Sequence, residues 1–339
     1  KIHIAGKRID IAGVDGAGAA LNRSTASGTL YGVYEVLEKQ LGVRWLWPGE
    51  LGTIAPKRST ITLKEGNWDI KAPLRFANWR QFNRASSWNV EENAKIFHHN
   101  ESLWLRRQRF SMIFNLNYGH AFTNYLERFG DKHPEFFNML PDGLRRGDPM
   151  HYNARADLIS MCVTNQGFIQ QVVDDWQNSG AGKIINCNEN DTAGKCTCAD
   201  CLAADENSDE GRLQRARQAF QDGKRNWYQE LGSLSDRYAK FYLAVQGKTD
   251  KINPDANIIG CIYANYHEAP VKTRLNERII LRFCPPIMFP WNDEKVNKFK
   301  DLWGAWAEKG VSLMFRPNFT LDGHNFPLPY YRDFVNCFD

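Results

Sequence analysis

Two acidic residues separated by a single residue are the strongest catalytic candidates in this sequence. Glu189 and Asp191 lie in the segment KIINCNEND, whose apolar start predicts a β-strand. Alternate residues of an extended segment lie on the same side, so we expect both carboxyl groups to enter one site. Desolvation and mutual repulsion would raise the pKa of one carboxyl group and leave the other ionised. Glycoside hydrolysis requires such a pair: an acid that protonates the leaving oxygen, and a carboxylate that attacks, activates water or orients an acetamido group.

Further candidates follow other predicted strands. Glu268 is a third catalytic candidate, and a loop carboxylate in a salt bridge is the alternative. Side chains that could bind sugar hydroxyls or stack on sugar rings are Arg80, His120, Tyr263, Tyr266 and Asn318. Structural roles remain open for several of these residues: Asp191 could cap a turn, His120 could be a packed loop histidine, and Arg80 could form an ion pair.

Three cysteines within six residues form the most distinctive local motif. Cys196, Cys198 and Cys201 could hold a metal ion with a fourth ligand such as Cys187, or form a disulfide with one thiol spare. The sequence has no second CxxC pair and no HxxxH to complete a standard zinc knuckle, and no His/Asn partnership indicates a catalytic thiol. We therefore predict no metal ion and no cofactor, and a structural cluster that fixes the loop behind Asp191.

The elements that must position these residues alternate between strands and amphipathic helices. The strand candidates are 75–79, 111–116, 158–163, 183–187, 257–263, 278–283 and 311–315, and the helix candidates are 169–176, 235–245 and 294–307. Seven such strands predict a parallel sheet, and their number favours a (β/α)8 barrel whose eighth unit is missing or beyond the sequence. In such a barrel the chemistry lies at the carboxyl ends of the strands. A doubly wound open sheet is the alternative, but no Gly-rich phosphate loop follows the first strand.

A small α+β domain precedes the barrel in our prediction. Residues 1–11 and 58–63 have strand patterns, and 28–41 has an apolar stripe at helical spacing with Gly42 as the C-terminal cap. The chain starts at Lys1 inside a predicted strand, so we expect it to be a piece of a longer protein. The predicted domains are 1–72 and 73–339, the second with a long polar excursion on the loop face at about 203–232.

Composition excludes several classes of protein. Of 339 residues, 42% are hydrophobic and 24% charged, which is typical of a globular protein and not of a disordered one. No stretch approaches the ~18 uninterrupted apolar residues of a membrane span. The net charge of +4 is too slight and scattered for a nucleic-acid partner, and we interpret the basic residues 106–109 as a solvated helix end. The 13% aromatic content fits a carbohydrate site or a core of large side chains equally well.

Several segments resemble known carbohydrate-active families. Residues 27–56, with a helix of the G-x-x-Y-G-V-Y type, resemble the small domain that precedes the barrel in family 67 α-glucuronidases and family 20 β-hexosaminidases. The HPEFF segment at 133–137, the Asp/Cys block at 188–201 and the SDRY segment at 235–238 resemble a large bacterial family of barrel domains of the DUF4838 type. Part of that family is classed as glycoside hydrolase family 163. The resemblance spans roughly residues 27–330, and the Asp/Cys block is its most specific part.

The resemblance implies an endo-β-N-acetylglucosaminidase, or a close relative, that acts on N-glycan-like or other complex polysaccharides. It also implies a bacterial protein that is secreted, periplasmic or attached to the cell surface. A retaining mechanism that uses the substrate's acetamido group would be similar to that of family 20, although Glu189-Asn190-Asp191 stands here in place of that family's adjacent Asp-Glu pair. The alternatives are an α-glucuronidase-like exo-hydrolase, a non-catalytic carbohydrate-binding barrel, and a metal-dependent protein built on the cysteine cluster. The oligomeric state stays open.

Overall fold

The protein divides into two units, Lys1–Leu116 and Asn117–Asp339, in a computed structural model. The structure describes residues 1–71, 91–112, 116, 119–285 and 292–316, with side chains from residue 95 onward in the second of these ranges. The boundary predicted after residue 72 lies outside the described residues, as does the strand predicted at 75–79. Among the described residues, no helix has the length and apolar character needed to cross a membrane.

The first unit combines an antiparallel sheet with helices. Its elements are β1 (Ile2–Ala5), β2 (Arg8–Ile11), α1 (Gly28–Lys39), β3 (Arg44–Trp45), β4 (Thr53–Ile54), β5 (Gly66–Trp68) and α2 (Glu91–Arg107). Strand β1 pairs with both β2 and β5, and its buried Ile2 and Ile4 pack against Val36 of α1. The helix predicted over 28–41 is therefore confirmed. The strand predicted at 58–63 is wrong: Ile61 there is 61% exposed, and β5 occupies the edge of β1 instead.

The end of α2 is not the solvated helix end that its basic residues suggested. Arg106 is fully buried, and its guanidinium donates to the carbonyl oxygens of Ala20 (2.8 Å) and Thr25 (3.0 Å). A buried charge is tolerated when its N–H groups find acceptors, and here backbone carbonyls supply them. The prediction failed because a run of basic residues does not reveal which of them faces the core.

The second unit contains an all-parallel sheet flanked by helices. Its elements are α3 (Tyr125–Phe129), α4 (Gln166–Asn178), β6 (Ile184–Asn186), α5 (Ala199–Ala204), α6 (Arg212–Gln221), α7 (Ser235–Thr249), β7 (Asn257–Ile262), β8 (Ile279–Phe283), α8 (Asp293–Ala307) and β9 (Ser312–Phe315). The strands lie in chain order, β6-β7-β8-β9, with every pair parallel. The protein is thus a mixed α/β protein with a parallel sheet. The last four predicted strands and the three predicted helices are confirmed, and closure into a (β/α)8 barrel stays a prediction.

One predicted strand of this unit has a different structure, and the predicted polar excursion contains helices of its own. Residues 158–163 form no strand, because the N–H of Met161 donates to the carboxylate of Glu189 instead of to a neighbouring strand. Only an isolated bridge to Phe137 remains there. The polar segment 203–232 is largely helical: it contains α6 and a 3-10 turn in which Trp227 is fully buried. Its few apolar side chains are enough to anchor it to the core.

Close packing of helices on the sheet fixes the carboxyl ends of β6 and β7. A Cβ atom on Gly260 of β7 would lie only 2.4 Å from the ring of Tyr242, so α7 approaches the strand at a distance that only glycine permits. The Tyr242 hydroxyl also donates to the carbonyl of Cys261 (3.1 Å). Helix α4 packs on α7 through the stacked rings of Phe168 and Phe241, whose centroids are 5.7 Å apart. The loops that follow β6 and β7 therefore start from a rigid base.

Candidate functional site

The loop at residues 187–191, directly after β6, forms the centre of the candidate site. Backbone and amide hydrogen bonds hold its shape, since Ala121 N donates to Asn188 O (3.0 Å) and Asn190 Nδ2 donates to Ile159 O (2.9 Å). Both asparagines are buried. The loop is thus irregular but fixed, and it determines where the two acidic side chains point.

Glu189 is buried and carries a perturbed carboxyl group. It is 3% exposed, and its Oε2 accepts hydrogen bonds from the Tyr238 hydroxyl (3.1 Å) and from Met161 N (3.3 Å). Its Oε1 accepts from Asn190 N (3.2 Å). Burial raises the pKa of Glu189 to about 7, although the three hydrogen bonds act to lower it. The group is therefore about half protonated near neutral pH and can supply a proton there.

Asp191 has the opposite environment. It is exposed, and its Oδ1 accepts a hydrogen bond from the Tyr263 hydroxyl (3.0 Å) at the end of β7. Burial and the neighbouring charge of Asp191 raise the pKa of Tyr263, so this phenol stays a hydrogen-bond donor. Because β6 ends at Asn186, the alternation of an extended strand does not continue into the loop. Glu189 is consequently buried while Asp191 is open to a ligand.

His120 and Tyr266 differ in their exposure and in their partners. The ring of His120 is exposed, and its Nδ1 lies 2.8 Å from the carbonyl oxygen of Glu189. Tyr266 is 1% exposed, and its ring stacks on Tyr238 with centroids 3.9 Å apart. His120 can thus reach a ligand, whereas Tyr266 supports the tyrosine that bonds Glu189.

The other predicted site residues are not joined to this centre. Glu268 is exposed, and its carbonyl oxygen accepts a hydrogen bond from Ser235 Oγ. Among the described residues, no hydrogen bond or ion pair joins its carboxylate to Glu189 or Asp191. Arg80 and Asn318 lie outside the described residues.

The first turn of α7 holds the surroundings of the site together. Four consecutive side chains, 235–238, bond three different segments of the chain. Ser235 donates to the carbonyl of Glu268, and Asp236 accepts from the backbone N–H groups of Val271 and Thr273. Arg237 donates to the carbonyl of Cys196, and Tyr238 donates to the carboxylate of Glu189. A single helical turn therefore sets the relative positions of the loop after β7, the cysteine segment and the acid.

An exposed tyrosine lies near the backbone of Asp191. His151 Nε2 is 3.5 Å from the carbonyl oxygen of Asp191, and its ring packs edge-on against Tyr152 with centroids 4.8 Å apart. Tyr152 is 57% exposed, and the guanidinium of Arg225 lies 5.4 Å from its ring centroid. Residues 152–154 all have positive φ (46°, 54° and 57°), although none is glycine. Strained backbone of this kind is concentrated at ligand-binding and catalytic sites.

A buried ion pair lies next to this histidine. Lys195 Nζ is 2.8 Å from Asp148 Oδ2, and both side chains are almost fully buried. The indole N–H of Trp227 donates to the same carboxylate (3.1 Å). Burial, reinforced by the charge of Lys195, lowers the pKa of His151, so its imidazole is neutral at neutral pH.

Sequence reasoning missed Tyr238, His151 and Tyr152 as parts of the site. Tyr238 lies in the SDRY segment that carries a family resemblance, and the amphipathic pattern of 235–245 does not indicate its partner. Nothing in the pattern around Tyr152 marked it, because positive φ at non-glycine residues leaves no sequence signal. Tyr238 contacts Glu189, and His151 lies near Asp191, only because segments distant along the chain meet in the fold.

The cysteines form a cluster with a member that the sequence did not indicate. Cys196, Cys198 and Cys201 lie with Cys162, and all four are buried. Cys187, the fourth ligand suggested by proximity in sequence, lies instead in the main core of the unit.

Comparison with known proteins assigns the chain to a family. A family model described as "Domain of unknown function (DUF4838)" matches residues 47–331. The chain belongs to this family. The DUF4838 match includes both carboxyl groups of the loop, the first turn of α7 and all four clustered cysteines, and it confirms the resemblance at the level of the family. Assignment to a glycoside hydrolase family stays a prediction. No curated protein and no solved structure matches the chain.

Proposed function

We propose that the protein is a glycoside hydrolase that acts on complex glycans or polysaccharides, with endo-β-N-acetylglucosaminidase-like activity. The observation that carries the proposal is the pair of carboxyl groups after β6, in which Glu189 is buried with a pKa of about 7 and Asp191 is exposed. Glycosidases need two carboxyl groups in different protonation states at the same pH, and different environments are the usual means of achieving this.

In this proposal Glu189 is the general acid. Among the described residues, its Oε1 accepts only the 3.2 Å hydrogen bond from Asn190 N, so a proton on that oxygen can be transferred to a glycosidic oxygen that enters the site. Tyr238 and Met161 hold the other oxygen in place.

Asp191 is the carboxylate that faces the sugar. Exposure keeps it accessible, and the Tyr263 hydroxyl fixes its orientation through a 3.0 Å hydrogen bond. From this position it would attack the anomeric carbon, activate water or orient the acetamido group of the substrate. Glu268 is a further catalytic candidate for a substrate that extends toward the loop after β7.

Sugar binding is assigned to polar and aromatic side chains around the loop. His120 and Tyr263 would donate or accept hydrogen bonds, and the exposed ring of Tyr152 would stack on the apolar face of a sugar. Tyr266 contributes by supporting Tyr238. Arg80 and Asn318 complete the proposed binding residues, and the family resemblance supports a substrate outside the cell.

The test is mass spectrometry of products after the purified chain is incubated with a glycan panel. The panel contains N-glycoproteins, chitooligosaccharides, glucuronoxylan and sulfated algal polysaccharides. Release of intact N-glycans cut between core GlcNAc residues is the expected result. Asp191→Asn and Glu189→Gln should each lower turnover by about 10²–10⁴-fold, which is the usual contribution of acid–base groups.

The matched control is Asp209→Asn, which changes an exposed aspartate paired with Arg215 on the surface. It should retain wild-type turnover. Full activity in both site variants would contradict the assignment of the carboxyl groups. Release of glucuronic acid would replace the proposed specificity by that of an α-glucuronidase, and glycan retention without any product would favour a carbohydrate-binding domain.

A further inference from the structure

Four sulfur atoms converge in the buried cluster of Cys162, Cys196, Cys198 and Cys201. The Sγ of Cys162 lies 3.7 Å from that of Cys198 and 3.8 Å from that of Cys201, and the Sγ atoms of Cys196 and Cys198 are 3.5 Å apart. All four sulfur atoms lie within 4.8 Å of one another. Four thiols with no disulfide among them are thus packed around one point.

These distances match a tetrahedral metal site. With Zn–S bonds of about 2.3 Å, sulfur atoms at the corners of a tetrahedron are about 3.8 Å apart. Covalently joined sulfur atoms would be about 2.05 Å apart, far closer than any pair here. A set of four sulfur ligands without nitrogen or oxygen is typical of a structural zinc site, or of iron coordinated by sulfur.

Hydrogen bonds to the sulfur atoms add to this pattern. Met139 N lies 3.3 Å from the Sγ of Cys196. The hydroxyl of Thr164 lies 3.1 Å from the Sγ of Cys201. Donors of this kind orient the ligands of metal centres and stabilise thiolates.

Two arginines lie beside the cluster, where positive charge would stabilise such a centre. Four thiolates around one divalent ion leave two negative charges, which are costly to bury without partners. Arg237 is buried, forms an ion pair with Asp205 (2.7 Å) and donates to the carbonyls of Cys196 (2.9 Å) and Cys201 (3.1 Å). The guanidinium of Arg145 is near enough to Cys162 and Cys196 to interact with them electrostatically.

We propose that Cys162, Cys196, Cys198 and Cys201 bind one Zn²⁺ ion as a closed structural site. The site joins two segments of the chain that flank the acid. Cys162 directly follows Met161, whose N–H bonds the Glu189 carboxylate, and Cys196 lies in the segment that leaves the 187–191 loop. The zinc ion therefore fixes the wall against which Glu189 is held, without touching a substrate.

The test measures metal content in the purified, reduced chain by inductively coupled plasma mass spectrometry. We expect about one zinc ion per chain. Cys162→Ala and Cys201→Ala should each lower the zinc content at least about tenfold, whereas Cys187→Ala removes a buried core thiol outside the cluster and should leave it unchanged.

Because a ligand variant can fail to fold, a second measurement uses the unaltered chain. Exchange of zinc for Co²⁺ should produce the intense visible absorption of tetrahedral cobalt bound by four thiolates. Stoichiometric iron in place of zinc would overturn the identity of the metal. Absence of zinc together with failure to take up Co²⁺, or a disulfide between two of the four cysteines in the freshly purified chain, would overturn the site itself.

Discussion

Replacing Glu189 by glutamine should remove a pH-dependent part of the stability of the protein. The pKa of Glu189 is about 7 in the folded protein against an ordinary value of 4.5. Between these values the folded state holds a proton that the unfolded state has released. The stabilisation is therefore fully present below pH 4.5 and is lost as the pH rises through about 7. A shift of about 2.5 units, at about 1.4 kcal/mol each, corresponds to about 3 kcal/mol.

The assay is urea-induced unfolding of wild type and Glu189→Gln at several pH values from 4.5 to 8, at constant ionic strength. Glutamine is neutral throughout and retains an oxygen that can accept the hydrogen bond from Tyr238. The difference in free energy of unfolding between the two proteins cancels the contributions of all other groups. As the pH rises, the wild type should lose about 3 kcal/mol of free energy of unfolding relative to the variant. Glu210→Gln, which removes an exposed carboxyl group, is the control for the substitution itself.

A constant difference between wild type and Glu189→Gln across this range would refute the reasoning. It would mean that the carboxyl group titrates at its ordinary pKa, so that burial does not determine its protonation. The proposed role as a general acid near neutral pH would then lose its physical basis.

Three further predictions concern the surroundings of the site. Tyr238→Phe removes a hydrogen bond that lowers the pKa of Glu189, so the pH at which stability falls should rise by about one unit in the same urea titration. Gly194→Ala would place a methyl group 2.9 Å from the Tyr238 hydroxyl and should lower the free energy of unfolding by about 1–3 kcal/mol. Asp205→Asn weakens the partner of two buried arginines and should cost about 3–5 kcal/mol in the same measurement. The controls are Gly182→Ala, in open space, and Asp209→Asn, in an exposed ion pair worth less than about 1 kcal/mol. Either stability prediction would be contradicted if the variant lost no more free energy of unfolding than its control.

Local periodicity accounts for the part of the fold that could be predicted from the sequence. The apolar runs that became β6, β7, β8 and β9, and the stripe of α7, carry their signal within a few residues. Prediction failed where distant partners decide the structure. Residues 158–163 have the apolar character of a strand, but a carboxylate elsewhere in the chain takes the N–H of Met161.

In the candidate site, too, local features could be predicted from the sequence, whereas contacts between distant segments could not. The position of Glu189 and Asp191 after a strand was visible in the sequence, whereas their opposite burial was not, because it depends on Tyr238 and Tyr263 in later segments. The fourth cysteine was missed for a similar reason. Cys162 lies 36 residues before Cys198 along the chain, so no spacing motif connects the two.

The contacts of the first turn of α7 determine which segments of the protein unfold together. Its four side chains bond the loop after β7, the cysteine segment and the acid, so none of these can detach while the turn stays docked. Local unfolding of a protein proceeds in cooperative blocks, and the bonds made by residues 235–238 define one such block. Amide protons in the cysteine segment and in residues 268–273, though distant along the chain, should therefore exchange with solvent through one shared opening event.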